Sequence, residues 1–227
     1  MPRKPRVVVV GTPHHVYLRG NNRRRLFSGD DDRWFWLGCL QRGLEASACA
    51  LHQLTMMTNH IHMIVTPPAE KALAQLVHRA CQRFTQYRND KRKSSGKLFE
   101  ERYRSKVITD EPHLMMTTLY NDANAYRAGL VDDPVGHDWS TGPLHAGARG
   151  RISPELWTPS AWYRRLGRNP ASRAKAYRHM MHAYTHRDRA EILPEELDDV
   201  SPYRRRIERP DGSSAREPET QWVSKPL

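Results

Sequence analysis

The sequence is poor in cysteine and lacks a long apolar run. Its three cysteines, Cys39, Cys49 and Cys81, form no Cys-x-x-Cys pair, which disfavours a disulfide scaffold and a zinc ribbon and predicts a reducing cytoplasm. The apolar run from Val7 to Val10 is far shorter than the roughly 20 residues of a membrane span. The charged start at residues 1–6 is followed by too short an apolar stretch for a signal peptide. We therefore expect a cytoplasmic protein without a membrane partner.

Acidic residues are outnumbered by basic ones. The chain holds 37 Lys and Arg against 25 Asp and Glu, a net charge of +12. Eleven basic and three acidic residues lie between Lys71 and Lys106, and residues 23–25 add three consecutive arginines. A surface this positive usually binds the phosphates of nucleic acid, although some proteins are basic without such a partner.

Hydrophobic periodicity predicts the order strand, helix, strand, strand, helix, strand, helix. The predicted strands are 13–20, 52–57, 61–65 and 102–109, and the predicted helices are one beginning at 30–32, then 71–91 and 110–129. This order matches a split β-α-β unit, the ferredoxin-like α+β plan with an antiparallel sheet.

The character of the sequence changes near residue 150. Two further helices are predicted over 156–167 and 170–185, and from Ser201 onward Pro, Arg, Glu and Ser dominate. We therefore expect a main domain over residues 1–145, a helical extension over 150–200 and a disordered tail over 201–227.

Two histidines alternate within an otherwise apolar predicted strand. In a strand, residues i and i+2 project from the same face, so His60 and His62 present both imidazoles on one side. Two imidazoles on a rigid strand supply half of a divalent-metal site. Two satisfied surface histidines are the alternative, but placement in the middle of an apolar strand favours the metal site.

The predicted helix 110–129 combines a buried stripe with a polar pair. The stripe consists of Leu119, Ala123, Tyr126 and Leu130. Tyr120 and Asn124 lie four residues apart and so share another face of the helix. A phenol and a carboxamide on one face offer a nucleophile and an oxygen ligand. Alternatively, the tyrosine only packs, with its hydroxyl in water.

Aromatic residues are interleaved with the basic residues of the second half of the main domain. They are Phe84, Tyr87, Phe99 and Tyr103. Such residues could stack on unpaired bases, as in proteins that bind single strands, or could belong to the core.

Four sequence blocks, taken together, resemble the REP-associated tyrosine transposases of the HUH single-strand nucleases. The blocks are His15-Val16-Tyr17-Leu18-Arg19-Gly20-Asn21-Asn22, Asn59-His60-Ile61-His62, Gly96-Lys97-Leu98-Phe99 running into Arg102, and Tyr120 through Asn124 to Arg127-Ala128-Gly129-Leu130-Val131. They span about residues 12 to 140 and follow the order and spacing of that family. The resemblance implies an HUH nuclease domain over residues 1–145.

The resemblance also implies the parts of an active site. It makes His60 and His62 metal ligands, Asn124 the residue completing the metal site, and Tyr120 the nucleophile. A mixed nitrogen and oxygen ligand set suits Mg²⁺ or Mn²⁺. The implied substrate is single-stranded or hairpin DNA, which predicts a nucleoid-associated enzyme. The candidate DNA-binding residues are Arg19, Asn21, Arg23, Arg24, Arg83, Arg102, Arg104 and Lys106.

The sequence departs from the family pattern at two places and leaves three alternatives open. Thr58 replaces a usual proline, and Ala125-Tyr126 replaces a usual Pro-Val after the asparagine, which makes Tyr126 a second candidate nucleophile. The first alternative is a nucleic-acid-binding protein that keeps the fold without the chemistry. The second is a phosphodiesterase in which water attacks. The third is a metal site at His179, His182 and His186, for which an exposed basic helix is the simpler interpretation. No pattern indicates the oligomeric state.

Overall fold

Four antiparallel strands form the sheet on which the candidate metal ligands lie. The computed structural model describes residues 7–100 and 102–186. The strands are β1 (His14–Arg19), β2 (Ala50–Met56), β3 (His60–Thr66) and β4 (Arg104–Val107). Their order is β2-β3-β1-β4, and every neighbouring pair is antiparallel. The sheet confirms the predicted α+β fold, and β4 is shorter at both ends than the predicted strand 102–109.

Helices lie on both faces of this sheet. They are α1 (Asp30–Ser47), α2 (Ala72–Arg92), α3 (Glu111–Asp122), α4 (Asn124–Arg127), α5 (Gly142–His145), α6 (Ala161–Arg165) and α7 (Pro170–Thr185), with 3-10 turns at Asn21–Arg23 and Pro154–Leu156. Within the described residues, no helix combines the length and hydropathy needed to cross a membrane. The tail predicted over 201–227, and the extension beyond residue 186, lie outside the described residues.

Two predicted helices differ from those observed. The segment 110–129 is divided into α3 and α4 by a turn at Ala123, whose ψ of 0° stays in the right-handed region but departs from the ideal α-helical value of about −42°. The predicted helix 156–167 is reduced to α6, because Pro159 disfavours helical backbone at Thr158. Thr158 instead donates its backbone N–H to the carbonyl of Leu51 in β2 at 2.7 Å, and Ser160 caps α6.

The first hydrophobic core lies between the sheet and helices α1 and α2. The strands contribute alternate residues to it, including Val16, Leu18, Leu54, Ile61 and Met63, all at most 2% exposed. Gly43 of α1 permits a close approach to α2, since a Cβ there would lie 2.8 Å from Leu76 Cδ1. The alternation leaves the polar residues of the same strands on the opposite face.

The second core covers that opposite face. Helix α3 packs on it, and α6 and α7 pack on α3 in turn. The cluster includes Ile64, Leu119, Tyr120, Trp162, Tyr177, Met181 and Tyr184. The described part of the extension therefore shares a core with the helix that carries the candidate nucleophile.

The chain between α4 and α6 covers the outer edge of β2. Backbone hydrogen bonds run from Met56 N to Trp139 O at 2.9 Å and from Thr141 N to Leu54 O at 2.8 Å. Pairing of this kind satisfies the backbone groups that an edge strand would otherwise expose. The sheet is consequently closed on the β2 side, and β4 forms its other edge.

A buried ion pair joins α1 to α2. Asp32, within the acidic helix start, is 0% exposed and accepts hydrogen bonds from Arg88, itself 1% exposed, and from Lys91 Nζ at 2.8 Å. The backbone N–H of Ser28 donates to the same carboxylate at 2.7 Å. The buried guanidinium and carboxylate thus compensate each other's charge, and Lys91 reaches the carboxylate from the surface.

Arg88→Met will lower the free energy of unfolding by about 3–5 kcal/mol, because Asp32 would keep a buried charge after losing its buried cationic partner. Asp30→Asn is the control, since Asp30 pairs with Arg33 on the surface and is 54% exposed; its cost should stay below about 1 kcal/mol. Urea denaturation measures both. Equal losses in the two variants would contradict the assignment.

Candidate active site on the sheet face beneath α3

The polar face of the sheet brings the predicted ligands together with residues of the neighbouring strands. His60 pairs with Arg19 of β1, and His62 pairs with Tyr17 of β1 and Thr55 of β2. Cross-strand partners project from the same face of a sheet. His60 and His62 are both 0% exposed, so the two imidazoles lie beneath α3 and not on an open surface.

Each imidazole is oriented by a neighbouring side chain. His60 Nδ1 donates to Asn59 Oδ1 at 2.7 Å, which leaves the lone pair of a neutral ring on Nε2. His60 also has a side-chain hydrogen bond with Asn124. His62 Nδ1 lies 3.0 Å from His15 Nε2, with the two rings stacked at 5.2 Å. Such partners fix the tautomer and orientation of metal-binding histidines.

Burial keeps these histidines neutral. It lowers the pKa of His60 to about 3, with Arg19 acting in the same direction and the bond to Asn124 opposing it. Burial likewise lowers the pKa of His15 to about 3, and that of His62 well below its ordinary value, assisted by the other two histidines. The neutral imidazole is the form that binds a metal ion.

The donor set fits a divalent ion. His62 Nε2 is a buried atom that has no hydrogen-bond partner among the described residues, and the Asn124 carboxamide is buried within hydrogen-bonding reach of His60. In the same part of the chain, no group of three His, Cys, Asp or Glu side chains is arranged to hold a metal. The candidate centre therefore depends on the carboxamide of Asn124 as its third ligand, beside His60 and His62.

Tyr120 lies next to this donor set. Its ring is 2% exposed and meets the His62 ring edge-on, with centroids 6.1 Å apart. The guanidinium carbon of Arg127 lies 5.2 Å from the centroid of the Tyr120 ring. The structure thus brings together the four residues that the sequence singled out for catalysis and metal binding.

The other candidate nucleophile points elsewhere. Tyr126 is 36% exposed, so its predicted place in the buried stripe is wrong. The stripe was predicted for one continuous helix. The turn at Ala123 changes the direction in which the following residues project, so Tyr126 no longer lies on the buried face. Asn124 is nevertheless buried, at 1% exposure.

Four of the predicted DNA-binding residues line one side of the candidate active site. Arg104 and Lys106 of β4 pair with Tyr17 and His15, and therefore belong to the polar face. Arg19 forms an ion pair with Glu100. Arg19, Arg102 and Arg104, together with Tyr17, line a narrow cleft at the β4 edge. Basic groups therefore lie within reach of a phosphate at the site.

The remaining DNA-binding candidates lie in two different places. Asn21, Arg23 and Arg24 form the turn that follows β1, and this turn is held near the Asn59 end of β3 by a bond from Asn59 Nδ2 to Arg23 O at 3.3 Å. Arg83 is different, since it lies with Arg42 in a groove between α1 and α2, across the sheet from Tyr120. The structure does not bring Arg83 to the site.

Of the aromatic residues interleaved with basic ones, some pack in or against the first core and others line a cavity. Phe84 is 0% exposed and belongs to the first core, so stacking on a base is excluded for it. Tyr87 stacks on Phe35 at 3.9 Å. Phe99 and Tyr103 line a largely apolar cavity of about 560 Å³ beside α2, and Arg102 lies at the same cavity.

Two residues near the site were not singled out from the sequence. His15 was named only as part of a motif block. Its alternation with Tyr17 and Arg19 along the predicted strand was the signal that could have placed it on the polar face. Arg127 also lay within a motif block, but no periodicity placed it beside Tyr120, because its position over that ring depends on the turn between α3 and α4.

The histidines of the alternative metal site lie on the exposed side of α7. The rings of His182 and His186 stack at 3.9 Å. His186 Nδ1 lies 2.8 Å from the backbone carbonyl oxygen of His182, and so is directed at the helix backbone. This arrangement does not direct the three imidazoles at a common metal position.

Lowering the pH from about 7 to about 4 will reduce the free energy of unfolding of the metal-free protein. The unfolded state, with histidine pKa near 6.5, binds more protons than the folded state, in which His15 and His60 have a pKa of about 3. Stability is therefore greatest above about pH 6.5 and falls as the pH approaches 3. Urea denaturation in the presence of a chelator measures it. His15→Gln should show a shallower dependence, and an unchanged slope would assign the effect to other groups.

Comparison with known proteins identifies the family. The family model described as "Transposase IS200 like" matches residues 9–121, from the chain before β1 to the last turn of α3. A solved structure of a REP-associated tyrosine transposase bound to a REP hairpin is 14% identical, with a TM-score of 0.56 over 70% of this chain and 93% of that chain. A putative transposase from Deinococcus radiodurans R1 is 13% identical, with a TM-score of 0.37 over 57% and 98% of the two chains. A search of the curated proteins gave no significant match.

The family match and the fold agree with each other. The matched residues contain all four strands, both helices of the first core and His60, His62 and Tyr120. The hairpin-bound structure shares the fold at low sequence identity. The resemblance drawn from the four sequence blocks is confirmed, and the chain belongs to the IS200-like transposases, enzymes that act on DNA.

Proposed function

We propose that this transposase cuts and transfers single strands of DNA, with Tyr120 as its nucleophile and a divalent metal as its cofactor. The observation that carries the proposal is the convergence of Tyr120 and Asn124 on His60 and His62 in one buried site. An enzyme of this kind is expected to work in the cytoplasm, on the nucleoid.

The reaction begins with attack by the phenol oxygen of Tyr120 on the scissile phosphorus. A bond forms between the phenol oxygen and phosphorus, and the bond from phosphorus to the 3′-oxygen breaks. The phenol loses its proton, and the departing oxygen gains one to become a free 3′-hydroxyl. The 5′-phosphotyrosine keeps the energy of the phosphoester, so another 3′-hydroxyl can reverse the step and exchange strands without ATP.

The residues around Tyr120 prepare the site for this displacement. When bound by His60, His62 and Asn124, Mg²⁺ or Mn²⁺ would supply Lewis-acid stabilisation of charge on the phosphate. His15 and Asn59 hold the two imidazoles in one orientation. The cover of α3 excludes water, which strengthens electrostatic interactions with the reacting phosphate.

The basic edge of the sheet suits a single strand of DNA. Arg104 and Lys106 on the polar face, with Arg102 beside them, would bind phosphates. An unpaired base could stack in the apolar cavity beside Phe99 and Tyr103. The similar solved structure is described as bound to a REP hairpin, and we propose hairpin-forming repeat DNA as the substrate here. Binding should weaken steeply as salt is raised, because phosphate contacts release counterions.

The experiment that tests the function incubates the full chain with labelled hairpin DNA carrying a single-stranded flank, in Mn²⁺ or Mg²⁺. A covalent protein–DNA band on a denaturing gel, lost on chelation, supports the proposal. Cleavage without such a band makes water the nucleophile and identifies a phosphodiesterase. Binding without cleavage identifies a DNA-binding protein that retains the fold.

A further inference from the structure

The C-terminal segment contacts the catalytic helix through residues that lie beyond the family match. That match ends at residue 121, whereas helices α5 to α7 lie within residues 142–185. Building on the proposed function, we propose that this segment is a positioning element, whose hydrogen bonds hold Tyr120 and Asn124 against His60 and His62.

The first contact is a buried carboxylate at the end of α3. Asp122 is 0% exposed and lies between the two candidate site residues of α3 and α4. Its Oδ2 accepts hydrogen bonds from Tyr177 OH of α7 at 2.7 Å and from His145 Nδ1 of α5 at 2.6 Å. Its Oδ1 accepts a hydrogen bond from Gln53 Nε2 of β2 at 2.9 Å. One carboxylate therefore joins the extension, the sheet and the catalytic helix.

This cluster fixes α3 because its members are buried and bonded to one another. Tyr177 is 0% exposed and His145 is 1% exposed, and their rings stack with centroids 4.9 Å apart. Bonds to a carboxylate are stronger than bonds between neutral groups, and a carboxylate that loses them in a dry site is strongly destabilised. Helix α3 cannot shift relative to α5 and α7 without breaking these bonds.

The second contact lies directly over the nucleophile. Arg127 Nη1 donates to Tyr184 OH of α7 at 3.2 Å, while the guanidinium carbon stays 5.2 Å from the centroid of the Tyr120 ring. Tyr184 is 5% exposed, and burial raises its pKa to about 12, with the positive charge of Arg127 opposing this rise. Tyr184 is thus a neutral acceptor that holds Arg127 over Tyr120.

Both contacts act on the atoms that must be placed accurately for in-line attack. A displacement of about 1 Å in a reacting group can cost about a hundredfold in rate. Residues that support the reacting groups set this accuracy. Tyr177, His145 and Tyr184 bond to Asp122 and Arg127 and lie outside the candidate donor set, so their contribution is to the position of Tyr120 and Asn124.

The test compares two buried tyrosines whose hydroxyl groups donate hydrogen bonds to different acceptors. Tyr177→Phe removes a bond to Asp122 of the catalytic helix. Tyr163→Phe is the matched control, since its hydroxyl donates to the backbone carbonyl oxygen of His145 at 2.8 Å and not to a side chain of α3. Both variants keep their rings, and both are assayed as full chains at temperatures where thermal unfolding shows them fully folded.

In single turnover at saturating DNA and Mn²⁺, Tyr177→Phe should form the covalent adduct about 10- to 100-fold more slowly, with its Kd for DNA unchanged. Tyr163→Phe should stay within about threefold of the wild type. Equal slowing in both variants would overturn the proposal. So would a Tyr177→Phe variant in which only the Kd for DNA changes, because the segment would then serve binding.

Hydrogen exchange tests positioning without relying on activity. In the metal-free protein, amides of residues 111–127 should exchange faster in Tyr177→Phe than in Tyr163→Phe, because α3 and α4 lose an anchor. If the wild type forms no adduct, the proposed function fails, and exchange alone decides this inference. Faster exchange then supports the positioning role, and equal exchange in the two variants overturns it.

Discussion

Tyr120→Phe will abolish the covalent protein–DNA adduct and slow strand cleavage by about a thousandfold or more, because an enzyme that loses its nucleophile loses about that much rate. The variant loses one oxygen atom and keeps the ring that packs beside His62. Folding and the affinity for hairpin DNA should therefore be preserved. The measurement is a denaturing gel with labelled hairpin DNA and Mn²⁺, with Kd determined separately by fluorescence anisotropy.

Tyr126→Phe is the matched control for this prediction. It removes the hydroxyl of a tyrosine six residues away whose side chain is 36% exposed. Adduct formation by Tyr126→Phe should equal that of the wild type. An adduct that survives in Tyr120→Phe and disappears in Tyr126→Phe would move the nucleophile to Tyr126 and contradict the site described above.

Replacing His60 and His62 together with glutamine will remove metal-dependent cleavage, with a loss of about a thousandfold or more. Glutamine roughly preserves volume and polarity, but it lacks the imidazole lone pairs that would bind the ion. Calorimetric titration with Mn²⁺ should show at least a tenfold weaker affinity than for the wild type. Hairpin binding should change little, because it depends mainly on contacts between basic residues and phosphates.

His137→Gln provides the control for the loss of a buried histidine. His137 is 9% exposed, and its Nε2 lies 3.0 Å from the carbonyl oxygen of Met56, so this nitrogen is engaged by the backbone and is not one of the candidate ligands. The variant should lose some stability but keep its affinity for Mn²⁺. If His137→Gln lost Mn²⁺ binding as fully as the double variant, the effect would be one of folding and not of ligation.

Local patterns were enough to predict the sheet and half of the candidate site. A strand has a period of two, so the positions of His60 and His62 on one face follow from their spacing alone. The register of β1 with β3 agrees with that prediction. Helical spacing paired Tyr120 with Asn124, and the resemblance of four blocks to the REP-associated tyrosine transposases favoured a catalytic role for the pair over simple packing. The family match confirms the membership that those blocks indicate.

Tertiary structure decided what depends on contacts between distant segments. A single helical period over 110–129 could not reveal the break at Ala123, and it therefore misplaced Tyr126. Charge alone could not show that Arg83 lies across the sheet from the site, because a basic residue is equally compatible with either face.

The contribution of the extension also required the folded chain. Asp122 is bonded to Tyr177 across 55 residues and to His145 across 23. No local period relates such positions, since their meeting depends on how α5 and α7 pack against α3. The sequence by itself determined the strand alternation, the paired histidines and the family. Packing between remote helices determined which side chains surround Tyr120, because only the folded chain sets the distances between them.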